Sequence, residues 1–100
     1  LAGQKRKALR VTVQGRVQGV GYREFVRRAA GRLNVTGWVR NRPDSGVEAQ
    51  ICGGPPEIQT LLREMKTGPR WADVTTLSVV DDGEAEVPDA FRILPTREPV

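Results

Sequence analysis

Two helices packed on one face of an antiparallel β-sheet, an α+β sandwich, is the architecture this sequence predicts, and three observations carry it. Apolar and polar residues alternate around positions 9–13 and again around 47–51, the period of two that sends successive side chains to opposite faces of a strand. In two longer stretches the apolar residues recur at the spacing of one helical face. Glycine, proline, asparagine and aspartate cluster between the stretches and punctuate the order strand, helix, strand, strand, helix, strand, with a short closing strand. One hundred residues suffice for a single core of this kind.

Residues 1–7 are basic and without periodicity, and they read as a flexible arm ahead of a domain over residues 8–96 and a tail over 97–100. From Ala8 to Gln14, Leu9, Val11 and Val13 alternate with Arg10, Thr12 and Gln14, as in a half-buried strand. Tyr22, Phe25, Val26, Ala29, Ala30 and Leu33 then line one face of a helix, with Glu24, Arg27, Arg28 and Arg32 facing water. That helix should stop near Leu33, because Asn34 tolerates the left-handed conformation of a helix C-terminus. Thr36 to Asn41 and the alternating Val47, Ala49 and Ile51 flank the turn residues Arg42-Pro43-Asp44-Ser45-Gly46, which makes a hairpin.

Gly53-Gly54 ends the third strand, and Pro55-Pro56 suits a helix start, where the missing N–H is not needed. Ile58, Leu61, Leu62 and Met65 give the second helix its apolar face, and Thr67-Gly68-Pro69 closes it. Trp71 follows in a linker. Val74 to Val80 forms a fourth strand, Asp81 to Asp89 carries five acids as a solvated loop, and Ala90 to Leu94 forms the closing strand. This order is the split β-α-β pattern of ferredoxin-like domains.

Composition removes much chemistry. There is no histidine, and the single cysteine, Cys52, sits at the end of an apolar run as an inert, partly buried thiol. Serine or cysteine nucleophiles paired with histidine, histidine-held zinc and internal disulfides are thereby excluded. No apolar run approaches the roughly 20 residues of a membrane span and no signal-peptide pattern opens the chain, so a cytoplasmic protein is expected. The 16 Lys and Arg exceed the 12 Asp and Glu, a balance that attracts anions from nucleic acid down to small phosphorylated metabolites. Only five aromatic residues are present, without the paired aromatics on which RNA-binding sheets stack bases.

The candidate site is the junction between the first strand and the first helix, Gly15-Arg16-Val17-Gln18-Gly19-Val20-Gly21, followed by Tyr22 and Arg23. The first turn of a helix leaves N–H groups without intrahelical partners and carries a partial positive charge. Glycines in the preceding turn let successive amides converge on one point, where a phosphate is the natural guest, although strand-to-helix turns use glycine without any guest and exposed arginines are common. Arg23 adds a planar fork that can grip two phosphate oxygens. The loop lacks the Gly-Lys-Ser/Thr ending of a Walker loop and the spacing of a dinucleotide fingerprint. In the split β-α-β order the end of the second strand can return beside this loop, which brings Asn41 to it. Taken alone, an asparagine at a strand end is more often a turn former; beside a phosphate, its amide can hold a water for in-line attack without adding repelling negative charge.

Gly15 to Arg23 followed by Gly37-Trp38-Val39-Arg40-Asn41 resembles the acylphosphatase family, and the resemblance extends from about Leu9 to Leu94. It includes the helix spacing, the turn leading to Val47-Glu48, the Gly68-Pro69 segment and the Phe91-Arg92-Ile93 ending. Tyr22 stands where phenylalanine is common, Asn34 where many relatives have glycine, and Gly46 one place later than the usual hairpin glycine. The resemblance implies hydrolysis of an acyl phosphate to a carboxylate and inorganic phosphate. It gives Arg23 the role of catalytic arginine, Asn41 that of orienting the attacking water, and residues 15–21 that of phosphate cradle.

An acyl phosphate leaves as a carboxylate, whose conjugate acid has a pKa near 4, so no general acid is needed. Positioning and electrostatics suffice, without cofactor or metal. The expected partners are a small acyl phosphate and inorganic phosphate as product and inhibitor, with no membrane and a monomeric state. Nucleic acid is the less favoured partner, in a binding module of the same architecture that would use the basic arm and the arginine-rich helix face. A third reading, a carbamoyl-phosphate-handling unit of a larger enzyme, is set against the short single chain.

Overall fold

The computed structural model describes residues 6–83 and 88–98. Its elements are β1 (Lys7–Arg16), α1 (Tyr22–Arg32), β2 (Thr36–Asn41), β3 (Val47–Gly53), α2 (Pro55–Thr67), β4 (Asp73–Asp81) and β5 (Phe91–Ile93). The five strands form one sheet in the order β4-β1-β3-β2-β5. Alternation decides which residues meet the helices: Val11 and Val13 of β1, Val39 of β2, and Val47, Ala49 and Ile51 of β3 join Val26, Ala29 and Ala30 of α1 and Ile58, Leu61 and Met65 of α2 in the buried core. No described helix is long and apolar enough to cross a membrane.

The sheet is antiparallel across its first four strands, as expected, but β5 lies parallel to β2, with Gly37 opposite Phe91 and Val39 opposite Ile93. The reason is where β4 ends. Asp81 pairs with Leu9 near the start of β1, at the same end of the sheet where β2 begins opposite Cys52. β5 enters at that end, with Phe91 opposite Gly37, the second residue of β2, and must run alongside it. An antiparallel partner would first have to traverse the full length of the sheet.

Several boundaries move. Lys7, assigned to the arm, is the first residue of β1 opposite Gly53, and residues 1–5 lie outside the described residues. β1 continues past Gln14 to Arg16 through a bulge at Gln14/Gly15. In the acidic stretch, Asp81 belongs to β4, and Asp82 pairs with Arg10 at 3.3 Å and accepts from Gln50; Glu84 and Glu86 lie outside the described residues. Arg97, assigned to the tail, donates its backbone N–H to Asn41 O at 2.9 Å. Cys52 is fully buried, and burial pushes its thiol pKa up.

Helix ends follow from local chemistry. Asn34 takes φ 58°, and Val35 N–H reaches back to Ala30 O at 2.8 Å, a hydrogen-bonded stop for α1. The hairpin solves its displaced glycine differently, since the left-handed position falls on Ser45 (φ 71°) and not on Gly46. Asp44 Oδ1 accepts from Gly46 N–H at 3.0 Å and closes that turn. Arg42 binds the Asp44 carboxylate, and its hydrogen bonds with that of Gly46 pull the carboxyl pKa down to about 2.

The face of the sheet away from the helices is polar. The guanidiniums of Arg10 and Arg40 lie 5.0 and 4.7 Å from the Trp38 ring centre, and beneath them Glu48 and Gln50 of β3 are buried.

Candidate functional site

The loop begins in the last two residues of β1, just past the bulge. Gly15 is required there because a Cβ would stand 2.1 Å from the Asp73 carbonyl oxygen of β4. Gly21 answers a different demand: nothing lies within 4 Å of a Cβ built on it, but its φ of 79° favours glycine. This residue is the N-cap of α1 and supplies no side-chain bond. The first-turn amides of α1 therefore keep their free donors pointed out of the helix end. Gly19 is likewise left-handed, at φ 74°.

The remaining loop residues divide by role. Val17 is buried in the core and Val20 packs against it, so these side chains anchor the loop while its backbone faces outward. Arg16 is exposed at the end of β1. Gln18 sends Nε2 to two carbonyl oxygens of the β2–β3 turn, Arg42 O at 3.0 Å and Gly46 O at 2.8 Å. Its side chain ties the loop to the hairpin, and only its backbone N–H is left to join an anion cradle.

Arg23 lies in the first turn of α1, half-buried, with no ion pair among the described residues. It lines a cavity of about 200 Å³ together with Val17, Gly19, Gly21, Tyr22, Glu24 and Ile93. Glu24 puts a negative charge beside this cavity, but Arg27 (2.5 Å) and Arg28 (3.1 Å) hold its carboxylate. The Arg27 hydrogen bond chiefly pulls the Glu24 carboxyl pKa down to about 2, so the charge persists and is neutralised locally. A larger cavity of about 460 Å³ lies on the α2 side of α1, lined by Val20, Phe25, Ala29 and Pro69 and by the charged Glu24, Arg28, Arg32 and Glu64; Arg23 lines only the smaller cavity, and Asn41 lines neither. What marks the smaller one is this arginine, unpaired among the described residues, beside two loop glycines, Gly19 and Gly21.

Asn41 is the last residue of β2 and shares the helix-side face with Val39. Its Oδ1 is buried and has no hydrogen-bond partner among the described residues. Buried polar atoms are nearly always paired; Arg10 Nε and Thr36 Oγ1 share this state among the described residues, and of the three only Asn41 Oδ1 stands at the end of the strand that the glycine loop is fastened to. The Gln18 bond to Arg42 O fastens the next residue to the glycine loop, so the two motifs read from the sequence are stitched together. Among the described residues no three His, Cys, Asp or Glu side chains are grouped to hold a metal ion.

Sequence reasoning did not find two residues around Asn41. Glu48, on the polar face of β3 with its side chain 5% exposed, binds Arg40 at 2.5 Å, Arg42 at 3.3 Å and Arg97 at 3.2 Å. Burial pushes its carboxyl pKa up, but the Arg40 hydrogen bond and the charges of Arg40, Arg97 and Arg42 outweigh this and hold it below the ordinary value. Arg97 is the other. A glutamate at an outward strand position and an arginine near the last residues carry no sequence signal of such a role.

The acylphosphatase family model matches residues 9–93. An acylphosphatase of Salinibacter ruber is 43% identical over 90 residues, which are 90% of this chain and 93% of that protein. The crystal structure of acylphosphatase from Bacillus subtilis superposes with a TM-score of 0.85 at 36% identity, covering 90% of this chain and 99% of that one. Full-length HypF, in its phosphate- and nucleotide-bound form, contains a similar region at a TM-score of 0.84 and 29% identity; 93% of this chain is covered but only 12% of HypF.

Proposed function

The chain belongs to the acylphosphatase family, and from that premise we infer that it hydrolyses an acyl phosphate through the loop 15–21, Arg23 and Asn41. The observation that carries the assignment of residues is the unpartnered Asn41 Oδ1 at a strand end fastened to a glycine loop whose helix has no side-chain cap. The loop amides and the Arg23 guanidinium bind the phosphoryl oxygens and stabilise the charge that shifts on them in the transition state. Asn41 accepts a hydrogen bond from a water and fixes it in line with phosphorus. As the water oxygen forms its bond to phosphorus, the bond from phosphorus to the acyl oxygen breaks. The carboxylate departs with that electron pair, and the water proton passes to a phosphoryl oxygen.

A carboxylate is a good enough leaving group to go without a proton donor, which suits a site built from an arginine, an amide and backbone. On the same reasoning the enzyme works without metal. We place it in the cytoplasm as a monomer, where the lone buried thiol of Cys52 meets no oxidant. Turnover of benzoyl phosphate by the purified protein tests the assignment. Hydrolysis should continue unchanged in EDTA and be inhibited competitively by inorganic phosphate. Loss of turnover in EDTA with recovery in magnesium would sink the metal-free mechanism, and absence of turnover would favour the nucleic-acid-binding alternative.

A further inference from the structure

We propose that Glu48 is a positioning residue for Asn41, acting from the opposite side of the sheet; this rests on the role just given to Asn41. Arg40 and Arg42 flank Asn41 in sequence, and strand alternation sends both to the face that Asn41 avoids. There the carboxylate of Glu48 takes Arg40 on Oε2 and Arg42 on Oε1. One buried group thus holds the residue before Asn41 and the residue after it. Arg97 completes the clamp, since its guanidinium binds the same Oε1 at 3.2 Å while its backbone N–H binds Asn41 O at 2.9 Å. The main chain of Asn41 is gripped on both sides and at its own carbonyl. Its side-chain amide is left free on the helix side, with Oδ1 unpartnered.

The device suits the task. Asn41 sits where β2 ends and the turn begins, a place where strands fray, while in-line attack tolerates little misplacement: an error near 1 Å can cost about a hundredfold in rate. A carboxylate nearer the phosphate would repel it, whereas Glu48 lies across the sheet and is neutralised by three guanidiniums. Glu48 touches neither substrate nor water. It acts through the geometry of Asn41.

The test is a double-mutant cycle on benzoyl phosphate hydrolysis. Glu48→Gln should lower kcat about ten- to a hundredfold while leaving inhibition by inorganic phosphate within about twofold, because Arg23 and the loop are untouched. In the Asn41→Ala background the same substitution should cost less than about twofold in kcat, since the group it positions is gone. Arg97→Met, which removes one arm from the clamp and leaves Arg40 and Arg42 on Glu48, should lower kcat less and again only when Asn41 is present; it decides the matter if Glu48→Gln does not fold. A folded Glu48→Gln with wild-type kcat overturns the proposal. So does a loss of equal size with and without Asn41, which would make Glu48 a general structural residue. Wild-type turnover in Asn41→Ala would instead remove the role of Asn41 itself, and the positioning role with it.

Discussion

In the proposed mechanism Arg23 and Asn41 meet different parts of the reaction, one by charge and one by a fixed dipole, and substitution should separate them. Arg23→Ala deletes a charge-assisted contact to the phosphoryl group. We expect weaker inhibition by phosphate and a kcat/KM lower by about two to three orders of magnitude, corresponding to about 3–4 kcal/mol of transition-state stabilisation. Asn41→Ala should keep near-normal phosphate inhibition while kcat falls steeply, because the water and not the phosphate loses its holder. Asn41→Asp should be at least as poor, since a carboxylate beside the bound dianion repels it even though it still accepts from water. Steady-state kinetics with phosphate as inhibitor checks all three. Equal phosphate inhibition in wild type and Arg23→Ala would remove Arg23 from the anion site.

At the scale of elements, the residue next to Arg23 joins the two helices. Tyr22, which stands where phenylalanine is common in the family, is buried and donates its hydroxyl to Met65 O in α2 at 2.8 Å. That carbonyl cannot find its usual partner four residues on, because residue 69 is a proline without an N–H. The phenol therefore satisfies an orphan acceptor at the end of α2 and fixes α2 against the first turn of the site helix. Tyr22→Phe should cost about 1–2 kcal/mol of stability, measured by urea unfolding, with phosphate inhibition little changed. A variant as stable as wild type would show that water serves the Met65 carbonyl equally well.

For the molecule as a whole, pH reads two of these contacts from opposite ends. Glu48 has its carboxyl pKa lowered in the fold, so its contribution is complete above the unfolded value near 4 and is lost as pH falls through the lowered folded value. Burial raises the Tyr22 phenol above its ordinary value. Its contribution is complete below the unfolded value near 10 and is lost as pH rises through the raised folded value. Unfolding free energy should be nearly level from about pH 5 to 8 and fall on both sides, the alkaline fall beginning with the buried Cys52 thiol, whose unfolded value is about 8.5, and continuing with Tyr22. Glu48→Gln should be less stable than wild type at pH 7, by about 1–3 kcal/mol, and the two curves should converge as pH falls through the lowered folded value. Tyr22→Phe should flatten the alkaline limb alone. Parallel curves for Glu48→Gln and wild type along the whole acid limb would mean that the carboxylate charge does not stabilise the fold.

What this sequence determined by itself is whatever depends on near neighbours. The order of elements follows from period, the stop at Asn34 from its tolerance of a left-handed conformation, and the loop 15–21 with Arg23 from glycines set against a helix start. The place of Asn41 was legible, the last residue of a strand that this order returns towards the loop. Tertiary structure alone decided the rest. Gln18 on the hairpin, Tyr22 on Met65 and Arg97 on Glu48 join residues 24, 43 and 49 positions apart, and Gln18, Glu48 and Arg97 look like ordinary polar residues in the chain. The parallel entry of β5 and the complete burial of Cys52 belong with them. Periodicity tells which face a residue takes but not what arrives there from elsewhere in the chain, and a buried ion cluster exists only once several distant segments have met to exclude water from it.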